Sequence, residues 1–158
     1  MDITNSSNFV QRTEAVKAFL AEINKTKVMT AQEEKDLFAK YEDSVERVKS
    51  VRNSNLTAEQ KQSIISREEK IQTDIRNEII LRNQRFNFAV AKRYDTKEIL
   101  MDLVNVGTIG MYEAFEKYNY KEGVRFCSFA VWFIRSAINA YLVKENLTVR
   151  SVNNTRVI

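Results

Sequence analysis

Histidine and proline are absent from these 158 residues, cysteine occurs once and glycine three times. One Cys and no His leave no ligand set for the usual zinc sites, and neither a Cys–His nor a Ser–His–Asp machinery can be assembled. Cys127 has no second cysteine for an internal disulfide, which sets a reducing cytoplasm as the expectation. Its place inside an apolar run marks it as a small packed residue rather than a nucleophile. Without proline, and with glycine only at 107, 110 and 123, the chain is expected to form long helices with few tight turns. No Walker loop and no glycine-rich strand-to-helix turn offers a phosphate cradle. No signal-like start and no long apolar run is evident, so neither secretion nor membrane spanning is expected. The carboxylates lie scattered beside Lys and Arg, as on solvated helix faces. The expectation is an all-α, non-enzymatic protein with no cofactor, no metal and no membrane partner.

What is present is concentrated near the end. From residue 117 onward seven Lys or Arg face two Glu, so this stretch carries +5 where the whole chain carries +4. The same stretch holds the run YNYKEGVRFCSFAVWFIRSAINAY, residues 118–141. Most of it reads as one helix opening after Gly123. Phe126, Phe129, Ala130, Phe133, Ala137 and Tyr141 share one face at the i, i+3, i+4, i+7 spacing of a buried stripe. Ser128, Trp132, Arg135 and Asn139 form a second, polar stripe that contains the single Trp. An indole beside a guanidinium and an amide suits stacking of an unpaired base; packing of Trp132 on a neighbouring helix accounts for the same pattern. A basic surface interleaved with aromatic rings points to nucleic acid, while a basic end that only keeps the chain in solution stays open beside it.

Residues 1–52 form an N-terminal helical segment, with residues 1–7 polar and a helix from near Asn8. Thr30 with Glu33, and Thr57 with Gln60, are capping boxes that start two further helices. The polar residues 52–56 are the linker candidate. Residues 57–150 read as the main domain. The helix from 57 would run to Arg93 with a break near Thr73, its apolar face carrying Ile64, Ile71, Ile75, Ile79, Phe86 and Val90. Asp95 or Thr96 caps the next helix, residues 97–117, which buries Leu100, Leu103, Val104 and Phe115. Gly107 and Gly110 lie inside it at a cost of about 1 kcal/mol each against Ala, which implies close approach of another helix. The aromatic helix would end near Glu145, and residues 151–158 form a flexible end. No internal repeat is evident.

Two longer runs bring these features into one order. IRNEIILRNQRFNFAVAKRY is an Asn-x-Arg helix ending in Ala-Lys-basic-Tyr. MDLVNVGTIGMYEAFEKYNYKEGVRFCSFAVWFIRSAINAYL joins Asp-Leu, Gly-x-x-Gly, an aromatic turn ending in Gly and the Trp helix with Ile-Arg. Together they closely resemble region two of the housekeeping-type (sigma-seventy family) bacterial sigma factors. FLAEINKTKVMTAQEEKDLFAKYE resembles the segment that precedes region two in that family. The resemblance implies a helical domain that binds core RNA polymerase and opens the promoter minus-ten element, capturing flipped non-template bases. By position, Trp132 and Phe133 would wedge the upstream edge of the bubble. Tyr118, Phe126, Ser128 and Phe129 would line the pocket for the first flipped adenine, and Asn83, Arg85 and Phe86 would contribute to a downstream base pocket. Ser136 and Asn139 would read the upstream base pair, and Lys92, Arg93, Lys121 and Arg125 would serve the DNA backbone. Asp102, Asn105, Val106 and Thr108 stand where the family docks on a coiled coil of the polymerase largest subunit.

The chain departs from the family pattern at four of these places. Val106 replaces a Glu in the polymerase contact; Asn119, Glu122 and Val124 replace a Glu, an Arg and an aromatic residue near the adenine pocket. No counterpart of the family's later domains is present, as expected either of a compact sigma such as a phage encodes or of one piece of a longer chain. Two other functions remain open: a regulator that occupies the sigma site on polymerase without opening DNA, and a general single-stranded nucleic-acid binder.

Overall fold

The computed structural model describes residues 3–95 and 99–154, with side chains described for 11–95 and 99–145. Six α-helices and one 3₁₀ turn make up this part, with no strand among the described residues: α1 (Ile3–Lys25), α2 (Ala31–Arg52), α3 (Ala58–Arg82), α4 (Gln84–Lys92), α5 (Leu100–Lys117), the turn Tyr120–Glu122, and α6 (Phe126–Asn154). The all-α expectation is met.

Local chemistry fixes the helix starts. Thr30 Oγ1 accepts the Glu33 N–H at 3.1 Å while Glu33 Oε2 accepts the Thr30 N–H at 2.8 Å. Thr57 and Gln60 repeat this exchange at 3.3 and 3.1 Å. Each box satisfies two of the orphan donors at a helix start. Between these helices, residues 52–56 turn α2 back onto α3. The pair is pinned by a buried polar cluster: Ser44 Oγ lies 2.8 Å from Glu68 Oε2, and Gln72 Nε2 donates to Ser44 Oγ at 3.2 Å.

The expected break near Thr73 is absent. Thr73 donates its hydroxyl to the Glu69 carbonyl at 2.9 Å, a bond that an unbroken helix accommodates. The chain breaks instead at Asn83, whose backbone leaves helical geometry at φ −105°, ψ 4°. Ile71, expected on the apolar face, is exposed, and the buried line runs through Ile75 and Ile79 to Val90. At the head of α5, Asp95 Oδ1 accepts the Ile99 N–H at 2.9 Å; Thr96, the alternative cap, lies outside the described residues. α1 begins at Ile3 rather than near Asn8, and α6 runs on to Asn154 rather than ending near Glu145. Of the end at 151–158, residues 155–158 lie outside the described residues.

The centre of the fold is α6 lying on α5. A Cβ on Gly110 would stand 2.6 Å from the Phe133 carbonyl oxygen, and one on Gly107 would stand 2.1 Å from Asn87 Oδ1 and 3.2 Å from Ile134 Cγ2. These two glycines are the close approach that their cost implied. The buried line of α6 is Phe126, Ala130, Ile134 and Ile138, all fully covered. That corrects the expected stripe: Phe129, Phe133, Ala137 and Tyr141 are half-buried along one border of the face. The correction follows from α5, whose glycines admit the α6 backbone at Phe133 and Ile134 and so rotate the contact line toward the isoleucines. Over Phe126–Glu145, α6 is also long and apolar enough to cross a membrane by length and composition, at mean hydropathy 1.4, a run the sequence reading did not register. Its apolar line meets α5 here, and its outer side presents Ser128, Ser136 and Asn139.

Candidate nucleic-acid interface

α6 enters its first turn under the control of a residue far away in the sequence. Glu34 of α2 is only 3% exposed. Its Oε1 accepts the Phe126 N–H at 2.9 Å, so a carboxylate from another helix caps the N-terminus of α6. The negative charge also suits the positive end of the helix dipole. Arg125 closes the arrangement, with Nε 3.4 Å from Glu34 and Nη2 donating to the Met29 carbonyl at 2.9 Å. Gly123, at φ 79°, supplies the left-handed residue that lets the chain turn from Glu122 into this cap.

With α6 phased in this way, its outer side presents Ser128, Trp132, Ser136 and Asn139 to solvent. The Trp132 indole is 69% exposed. Its neighbour within reach is the Arg135 guanidinium, centred 5.9 Å from the ring. Trp132 therefore does not pack on a neighbouring helix, the alternative that the sequence left open. Holding a large ring in water contributes nothing to folding, and a guanidinium beside an open π-face is a stacking platform for a base.

Beside Trp132 runs a row of half-buried rings. Phe133 lies 5.2 Å from Phe129, Phe129 5.5 Å from Tyr118, and Tyr118 4.8 Å from Phe38 of α2. Lys117 Nζ stands 5.5 Å from the Phe133 ring centre. The Tyr118 hydroxyl donates to the Val124 carbonyl. Burial, then the nearby Glu34 charge, pushes its pKa up to about 12, so it remains a neutral donor across the physiological range.

The other candidate residues are placed less simply. Phe126 is fully buried beneath Tyr118 and Phe38 and presents no surface to a ligand in this conformation. Asn83 is buried, and its Nδ2 donates to the Ile79 carbonyl at 2.7 Å, closing the end of α3. Phe86 packs half-buried against the core. Arg85 holds the end of α1, donating to the Ile23 and Asn24 carbonyls at 3.4 and 3.0 Å. Lys92 and Arg93 are exposed at the end of α4. Lys121 Nζ pairs with Glu42 Oε1 at 2.6 Å, and Glu42 Oε2 accepts the Tyr120 hydroxyl at 2.8 Å. Those two hydrogen bonds hold the Glu42 carboxyl below the usual carboxylate range.

On α5, Asp102 and Asn105 are exposed and Val106 is half-buried. Thr108 faces the other way, its hydroxyl donating to the Val104 carbonyl at 2.9 Å and accepting from Gln84 Nε2 at 3.1 Å. The sequence reading missed Ile109, which is 60% exposed on the same side as Asp102 and Asn105. Its i, i+3, i+7 register with them was the available signal. Glu34 and Glu42 were missed as well; no local pattern joins them to residues 120–126.

Residues 79–148 match the family described as Sigma-70 region 2. RNA polymerase sigma factor RpoD of Neisseria gonorrhoeae is 31% identical over 108 residues, covering 68% of this chain and 15% of the relative. RNA polymerase principal sigma factor HrdD of Streptomyces coelicolor is 30% identical over 141 residues, covering 85% of this chain and 41% of the relative. The chain thus spans less than half the length of either relative.

Proposed function

Through its region two the chain belongs to the sigma-70 family, and from that premise we propose that it is a transcription-initiation factor that binds core RNA polymerase and opens the minus-ten element of promoters. The observation that carries this reading is the open indole of Trp132, 69% exposed on a helix whose core line of Phe126, Ala130, Ile134 and Ile138 is fully buried. Everting a base from a duplex costs a few kcal/mol. Stacking returns about 1–3 kcal/mol per base. Two everted bases, one against the Tyr118 and Phe129 rings and one downstream, together with the Trp132 wedge on the exposed edge, bring the exchange close to balance without nucleotide hydrolysis. Trp132 and Phe133 hold the upstream edge of the opened duplex, and Tyr118, Ser128 and Phe129 receive the first non-template base. Ser136 and Asn139, further along the same exposed side, meet the base pair above it. Lys92, Arg93, Lys121 and Arg125 serve the phosphates, the last two after exchanging their carboxylate partners. Phe126 contributes from beneath as the floor under Tyr118. Asn83, Arg85 and Phe86 border the downstream base, with Asn83 and Arg85 released from their present carbonyl partners. Asp102, Asn105 and Val106 dock on the coiled coil of the polymerase largest subunit, and Thr108 steadies that helix from within.

One observation favours a second reading, a regulator that occupies this polymerase site without opening DNA: Val106 puts an apolar side chain where a charged contact is expected from the family. Purified chain added to bacterial core polymerase separates the two on a template whose only promoter element is minus-ten. Transcript from that template supports the initiation factor; retained core binding without transcript or opening supports the regulator and refutes the first reading.

A further inference from the structure

Every described basic side chain on the turn ahead of α6 is held by a carboxylate of α2: Lys121 by Glu42 and Arg125 by Glu34. The two pairs differ. Glu34 is buried and caps α6, so its role is fixed by the fold. Glu42 is exposed, as is Lys121, and both carboxylate oxygens are engaged, one by Lys121 Nζ at 2.6 Å and one by the Tyr120 hydroxyl at 2.8 Å. The ammonium also stands 5.6 Å from the Tyr120 ring centre. Beneath this turn lies a cleft of about 250 Å³ lined by Phe38, Tyr41, Phe115, Tyr118 and Tyr120 among others, so the turn is not packed solid against α2.

Building on the proposed function, we infer that Glu42 is an intramolecular counter-ion that competes with the DNA backbone for Lys121 and so tunes strand capture. The exchange is cheap in both directions, because an exposed lysine passes between two anions without a change in burial. Exposed ion pairs of this kind correspond to roughly two- to five-fold in an equilibrium constant. The pair also mutes salt dependence. When Lys121 moves to a phosphate, DNA sheds condensed cation, but the vacated Glu42 gathers cation from solution. Without Glu42 the full contribution of one lysine returns, about 0.7 in the slope of log affinity against log salt for a single strand.

The test measures binding of the full chain, alone and with core polymerase, to a fluorescent single-stranded non-template minus-ten oligonucleotide over a salt series. Glu42→Gln is expected to bind about two- to five-fold tighter at low salt, with the slope steeper by about 0.7. Lys121→Gln binds more weakly, and in its background Glu42→Gln has no further effect. Glu46→Gln is the control for the general field of α2, since Glu46 pairs with Lys49 and not with the turn; it leaves affinity unchanged. Unchanged affinity and slope in Glu42→Gln overturns the inference while leaving the initiation-factor reading intact, and so does an equal gain in Glu46→Gln. A wild-type chain that does not bind the oligonucleotide, with or without core polymerase, overturns both.

Discussion

Replacing Glu34 with Ala removes the cap that α2 gives to α6. The Phe126 N–H loses an acceptor at 2.9 Å inside the protein, and Arg125 loses a carboxylate at 3.4 Å. A buried donor deprived of a charged acceptor costs about 1.5–3 kcal/mol. The Arg125 share is small, because its side chain is 42% exposed and keeps the Met29 carbonyl, so solvent screens what is lost. The sum is about 2–3 kcal/mol. With a urea dependence of about 2 kcal/mol per molar for a chain of this size, the unfolding midpoint should fall by roughly 1–1.5 M. The described residues are nearly all helical, so far-ultraviolet circular dichroism reports the transition. Glu34→Gln separates the two contributions: its amide oxygen still accepts from Phe126, so the midpoint should fall by about 0.5 M. A shift below about 0.3 M for Glu34→Ala would refute the cross-helix cap as a source of stability.

Three further outcomes are expected. Gly110→Ala gains about 1 kcal/mol of helix propensity but drives a Cβ to 2.6 Å from the Phe133 carbonyl oxygen, which costs about 2–3 kcal/mol, so the melting temperature should drop by roughly 3–6 °C; a rise would contradict the close α5–α6 packing. Trp132→Ala should change stability by less than about 0.5 kcal/mol in urea unfolding, because the indole is 69% exposed; a loss above about 2 kcal/mol would mean that it is a packing residue. Tyr118 is neutral below its pKa, and that pKa rises on folding from 10.0 to about 12. Its contribution is therefore complete below pH 10 and is lost as pH climbs toward 12. Urea midpoints taken across that interval should fall less steeply in Tyr118→Phe than in the wild type, and identical slopes would remove Tyr118 as the cause.

Features encoded over short distances were legible in the sequence. The starts of α2 and α3 followed from Thr30 with Glu33 and Thr57 with Gln60, because a capping box is complete within four residues. Gly107 and Gly110 announced a close helix contact, since nothing local repays their cost. Trp132 stood out as an apolar residue in a polar stripe. Features that depend on distant partners were not legible. The Glu34–Phe126 cap spans 92 positions, and neither residue is unusual among its neighbours. The contact line of α6 lies further from the phenylalanines than their size and spacing suggest, because the α5 glycines determine the rotation. Arg85 looked free for DNA, and only the folded chain brings the carbonyls that end α1 within its reach.

Strand opening by an exposed ring, without fuel, is tested most directly by permanganate reactivity of the minus-ten thymines in a complex of this chain, core polymerase and promoter DNA, with no nucleotide added. Wild type should render those thymines reactive. Trp132→Ala should leave them protected while binding core polymerase as tightly as before, and Trp132→Phe should restore part of the signal. Full reactivity with Trp132→Ala would contradict the account.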